Sequence, residues 1–112
     1  MHMSDAVRAM LELAAADPAR LTRRAYNVAG ISPSAAEIAA SIDGEVARRR
    51  PGSRFRGAFR VDPVRQAIAD SWPNSLDDGC ARNDWGWKAH YDSLDRMTPA
   101  LLDEIAAKSG KP

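Results

Sequence analysis

One cysteine, Cys80, is the whole thiol content, so no internal disulfide can form and no thiol cluster is available for zinc. No apolar run approaches the ~20 residues that cross a bilayer. Asp5, Arg8 and Glu12 interrupt the basic-then-apolar layout of a secretory leader. His2 and His90 have no cysteine or second histidine at ligand spacing, which argues against a metal site. A glycine-rich turn between strand and helix is missing, and with it the seat for a pyrophosphate of dinucleotide or P-loop type. No tyrosine is followed four residues later by lysine: Tyr26 meets Gly30 and Tyr91 meets Asp95 at that distance. An excess of one charge is lacking too, because a net charge of +1 supplies no overall field toward nucleic acid or anionic lipid. The cytoplasm is the expected compartment.

What is present fits one small soluble domain. The 112 residues are 45% hydrophobic and 28% charged. A chain of this length buries roughly 65% of its unfolded surface, enough for one modest core. Ser4 is placed to cap a helix carrying Val7, Met10, Leu11 and Ala14 at helical spacing, and Asp17-Pro18 ends it. Arg24–Ala29, closed by Gly30, has the composition of a short strand. Ser34 and Glu37 form a capping box ahead of a stripe of Ala35, Ile38, Ala39, Ile42 and Val46. Gly44 weakens that helix, and residues 48–52 stop it. Arg54–Val61 alternates cleanly: Phe55, Gly57, Phe59 and Val61 on one side, and Arg54, Arg56, Ala58 and Arg60 on the other. This predicts a half-buried strand with a basic outer face. Asp62-Pro63 then opens a short helix through Ala69, and Trp72-Pro73-Asn74 follows as a loop. Asp77 or Asp78 is expected to cap another short helix that Gly86 terminates, and Thr98-Pro99 to open the last, with Leu101, Leu102, Ile105 and Ala106 inward.

Several residues carry more than one reading. Asp77-Asp78 is better explained as a cap than as a metal site. Trp85 and Trp87 bracket Gly86 and fit a staple of a helix end to the core. Cys80 is expected to be a buried, inert thiol, since no activating base lies near it in sequence. The cluster Arg48, Arg49, Arg50, Arg54, Arg56 and Arg60 has the charge for phosphate. However, Phe55 and Phe59 point away from that face, so no aromatic is interleaved for base stacking. A charged edge that deters strand pairing explains the cluster equally well, and no nucleic-acid partner is expected. Arg65 is either solvated, held in a structural ion pair, or free to meet a carboxylate. Trp72 either covers a bound molecule or anchors its loop in the core.

The run Val61–Trp72 (VDPVRQAIADSW) with Pro73, then Asp77-Asp78 and Ala81–Lys88 (ARNDWGWK), strongly resembles the end of short-chain-type L-threonine 3-dehydrogenases. These belong to the extended short-chain dehydrogenases, alongside nucleotide-sugar epimerases. Met1–Arg8 resembles the family's entry into its substrate lobe, Tyr26-Asn27-Val28 its following strand, and Ser34–Ala39 its capped helix, so the resemblance covers nearly the whole chain. It implies oxidation of L-threonine to 2-amino-3-ketobutyrate with NAD in an intact enzyme. It also implies that the glycine-rich loop, the tyrosine and lysine and the active-site serine or threonine lie upstream, since no position here matches them. By resemblance Trp72 sits at the active-site rim, and Met3, Ser4, Asp5 and Arg65 join it as candidate substrate-binding residues; none is catalytic. In the epimerases the equivalent stretch carries an arginine and an aspartate that hold the nucleotide. Arg60 is placed like that arginine, but Pro63 takes the aspartate's position, which favours a small amino acid over a nucleotide sugar.

The expected fold is α+β: about five helices and two short strands without a complete Rossmann sheet. Residues 1–108 would form a substrate-binding lobe and 109–112 a frayed tail. Such a lobe is not catalytic alone, binds no cofactor by itself, and needs a partner. That partner is the missing N-terminal Rossmann half or a second copy of the chain, making a homo-oligomer. A free-standing, non-catalytic binding or oligomerisation module is the alternative.

Overall fold

The computed structural model describes residues 1–110. All regular elements among them are helical: α1 (Met3–Ala15), a 3-10 turn (Pro18–Arg20), α2 (Ala35–Arg49), α3 (Pro63–Asp70), α4 (Gly79–Trp85) and α5 (Leu94–Ser109). The α+β expectation is corrected, because neither expected strand forms among the described residues. A strand is defined by a neighbour that takes its backbone hydrogen bonds. Around residues 24–29 side chains do that work instead: Ala29 N donates to Asp78 Oδ2 at 3.2 Å, and Ala29 O accepts from Trp87 Nε1 at 3.1 Å. Residues 54–61 keep the alternating pattern but lie exposed, with Phe55 N bound to the Asp43 carboxylate.

The chain divides into two compact units. The first joins Met1–Ser32 to Ser75–Asp92, and the second joins Pro33–Asn74 to the chain from Ser93 onward. In the first, Ala9, Ala81, Trp87 and Ala89 form a small core against which Tyr26, Val28 and Trp85 pack. Burying a side chain as large as Trp87 contributes on the order of 3 kcal/mol. Gly30 lies in close quarters, since a Cβ there would stand 3.1 Å from Met1 Cα. In the second unit α2 packs on α5, and the Ser41 and buried Thr98 hydroxyls bond at 2.7 Å.

The local stop and start signals mostly hold. Ser34 and Glu37 close their capping box, and α2 continues through Gly44 to Arg49. Asp62 caps α3 by accepting from Val64 N and Arg65 N, with Pro63 as first helical residue. Gly86 ends α4 at φ 74°, a left-handed conformation that only glycine enters cheaply. Three boundaries move. His2 rather than Ser4 caps α1, its Nδ1 accepting from Ser4 N at 3.2 Å. Pro99 lies inside α5, which starts five residues before it at Leu94, so the proline removes one donor from the ladder rather than opening the helix. Ser109, assigned to a frayed tail, closes α5 with Gly110 as its cap; residues 111–112 lie outside the described residues. Ile105 and Leu101, expected inward, are exposed.

Candidate functional site

The entry segment is built at the start of α1. Asp5 is only 1% exposed, and its carboxylate accepts from His90 N (3.1 Å), Tyr91 N (2.9 Å) and Arg8 (3.0 Å). Burial pushes the Asp5 carboxyl up, but the bonds from Tyr91, Arg8 and His90 outweigh it and hold it below the usual range. Arg8 also donates to Lys88 O at 2.6 Å and to Glu12 at 2.6 Å, with its guanidinium 4.8 Å above the Trp87 ring. The buried His2 ring stacks on Tyr91 with centroids 4.1 Å apart, and its Nδ1 lies 2.8 Å from Ser4 Oγ. Residues 2–8 are thus pinned to residues 87–91, with bonds that span 80 to 86 positions of sequence.

A second network fixes the segment before Gly30. Asp84, buried on α4, accepts from the Tyr26 hydroxyl at 2.5 Å, Thr22 Oγ1 at 2.7 Å and Thr22 N at 2.9 Å. The Tyr26 and Thr22 donors hold the Asp84 carboxyl below its ordinary range. Asp78 does not cap α4 with its side chain; it bonds Arg82 at 2.7 Å and Ala29 N. Asp77 Oδ1 instead accepts from Gly79 N at 2.9 Å. Sequence reasoning missed these roles of Tyr26, Asp78 and Asp84. The bond from Ala29 to Asp78 and those from Tyr26 and Thr22 to Asp84 span 49 to 62 positions, beyond the reach of any local spacing rule.

The candidate substrate residues divide between the units. Met3 and Ser4 are exposed in the first turn of α1 beside buried Asp5. Arg65, on α3, is exposed and has one ion-pair contact, Nε to Asp62 Oδ2 at 3.6 Å. Trp72 follows α3 and is 68% exposed. Trp87 is buried and Trp85 half-buried, as a staple requires. Cys80 is exposed, correcting the expectation of a buried thiol, because it faces away from the Ala81 side of α4. Within the arginine cluster Arg48 and Arg49 pair with Glu45, Arg49 also with Asp103, and Arg54 with Asp43. Among the described residues no group of three His, Cys, Asp or Glu side chains is arranged to hold a metal ion. No described helix is long and apolar enough to cross a membrane.

No protein-family model matches the chain. It is 44% identical over 101 residues to the mitochondrial L-threonine 3-dehydrogenase of Sus scrofa, covering 90% of this chain and 26% of that protein. An uncharacterized epimerase/dehydratase of Staphylococcus saprophyticus is 41% identical over 109 residues, covering 96% of this chain and 32% of the relative. The X-ray structure of L-threonine dehydrogenase from Clostridium difficile superposes with a TM-score of 0.81 at 40% identity, over 96% of this chain and 32% of that one. The chain therefore spans about a third of the length of the relatives it matches, and the matched part is their C-terminal third.

Proposed function

We propose that this chain is the C-terminal, substrate-side third of a short-chain-type, NAD-dependent L-threonine 3-dehydrogenase and is not catalytic alone. The observation that carries the reading is the agreement of backbone and sequence along 96% of the chain with a threonine dehydrogenase. It is supported by the DPVRQAIADSWP run, which forms α3, its Asp62 cap and the exposed Trp72 loop.

In this reading the lobe binds and shields a small amino acid. Trp72, exposed on its loop, closes over the substrate and excludes water, so the charges around it act in a drier medium. Arg65, held only loosely by Asp62, offers a guanidinium to the substrate carboxylate. The entry segment with Met3 and Ser4 belongs to the other unit. Asp5 contributes by fixing that segment, because its oxygens are already engaged by Arg8, His90 and Tyr91.

The residues present do not fit NAD. The chain has no glycine-rich turn leading from a strand into a helix, so the dinucleotide belongs to the remaining two-thirds of a full-length protein.

Thermal unfolding tests the division of labour. NAD should leave the melting temperature of this chain unchanged. It should raise that of a protein in which this chain replaces the matching third of the Clostridium difficile enzyme, because binding at a hundredfold excess over Kd stabilises the folded state by about 3 kcal/mol. A clear NAD-induced rise for the chain alone would refute the assignment.

A further inference from the structure

Every residue from Pro63 to Trp72 is exposed, so packing does little to set the direction of Trp72. That direction is left to the way α3 ends, and the ending is closely bonded. Ser71 keeps helical backbone angles (φ −78°, ψ −13°), and its N–H is shared between Ala67 O and Ile68 O at 3.2 Å each. Its hydroxyl turns back and donates to the same Ile68 O at 2.6 Å. Trp72 N then donates to Ala69 O at 3.1 Å. Three of the last four carbonyls of α3, which a helix cannot satisfy within itself, are thereby taken by two consecutive residues. Pro73 completes the stop. It has no N–H to carry the ladder on, and its ring holds Trp72 away from the helical region.

We propose that Ser71 is the positioning residue for Trp72: the bond from its hydroxyl to Ile68 O fixes the last turn of α3, so that the indole is aimed before substrate arrives. The proposal rests on the reading above, in which Trp72 closes over a small amino acid. The physical reason is conformational entropy. Two donors of one residue on one carbonyl hold both the backbone and the side chain of Ser71 in a single arrangement. Without the hydroxyl, an exposed residue between a helix end and a proline samples several backbone states. Closure over the substrate must then order Trp72 anew, and that cost is subtracted from binding. Ser71 touches no substrate in this scheme and moves no proton; it acts through Trp72 alone.

The joined protein described above carries the test, with Ser71→Ala, Trp72→Ala and the pair together, read as NADH formation over ranges of L-threonine and NAD. Ser71→Ala should lower kcat/KM for threonine about fivefold, the size of one hydrogen bond, and leave the KM for NAD unchanged. Ser71→Thr, whose hydroxyl also reaches back to a helix carbonyl, should restore most of the loss. Added to Trp72→Ala, Ser71→Ala should change nothing further, because a residue acting only through another is silent once that other is gone. A Ser71→Ala loss that persists undiminished without Trp72 makes the hydroxyl an ordinary helix cap and overturns the proposal. Unaltered rates in Ser71→Ala overturn it too. Amide exchange in the isolated chain gives a readout that needs no turnover. Ser71→Ala should speed exchange at Trp72 N about fivefold, as the turn that holds it opens more often. No change there overturns the proposal. Faster exchange beside an inactive joined protein keeps Ser71 as what holds Trp72 and removes the functional reading instead.

Discussion

At the scale of single residues, the carboxylates do most of the organising. Asp5→Asn removes a charged acceptor from three donors, two of them the backbone amides of His90 and Tyr91. The loss should be about 2 kcal/mol, read as a lower urea midpoint at unchanged slope. The pH dependence follows from the direction of the shift. Asp5 is depressed in the folded chain, so its contribution is fully present above the ordinary carboxylate value near ~3.9 and fades as pH falls through the lower folded value. Glu45, drawn down to about 2 by bonds from Arg48 and then Arg49, acts in the same direction. Stability measured by urea unfolding should therefore be flat from neutrality to about pH 5 and drop below it; a drop already complete above that point would contradict these networks. Tyr26→Phe should lower the urea midpoint as well, by taking a donor from Asp84 and an acceptor from the amides of Thr22 and Arg23. The long-range bonds of Asp5 and Asp84 were not legible in the sequence. Tyr26 and Asp84 are separated by 58 positions, and a pattern rule sees only neighbours.

At the scale of elements, legibility follows how local the signal is. The Ser34–Glu37 box, the Asp62-Pro63 start and the Gly86 stop each complete their hydrogen bonds or backbone turn within a few residues, and all three appear as expected. Ser34→Ala should cost about 1 kcal/mol and shorten α2 at its start, visible as faster amide exchange in its first turn. Gly86→Ala should cost about 1–2 kcal/mol although open space surrounds it, because the penalty lies in the backbone angle. The strands failed for the opposite reason. Residues 54–61 alternate as a strand should, but alternation describes two faces and does not supply the neighbour that makes a ladder. Pro99 misplaced the start of α5 because a proline is more often found in a first turn than a second.

At the scale of the whole molecule, the apolar residues outnumber the places to bury them. The described core holds three alanines and Trp87, while Phe59, Val61, Val64, Ile68 and Trp72 lie exposed in one unit and Met3, Met10 and Leu11 in the other. Exposure on that scale is what a lobe shows when the surface that covers it is elsewhere. The candidate site was legible to the same extent. The DPVRQAIADSWP run pointed to Trp72 and Arg65, both found exposed around α3, whereas the pinned geometry of Met3–Asp5 depends on residues 87–91 and was visible only in the folded chain. Turnover addresses the division between the two parts most directly. Purified chain should form no NADH from NAD and L-threonine, and the same chain joined to the first two-thirds of the Clostridium difficile relative should form it in proportion to enzyme. NADH production by the chain alone, or none from a folded joined protein, would contradict the assignment.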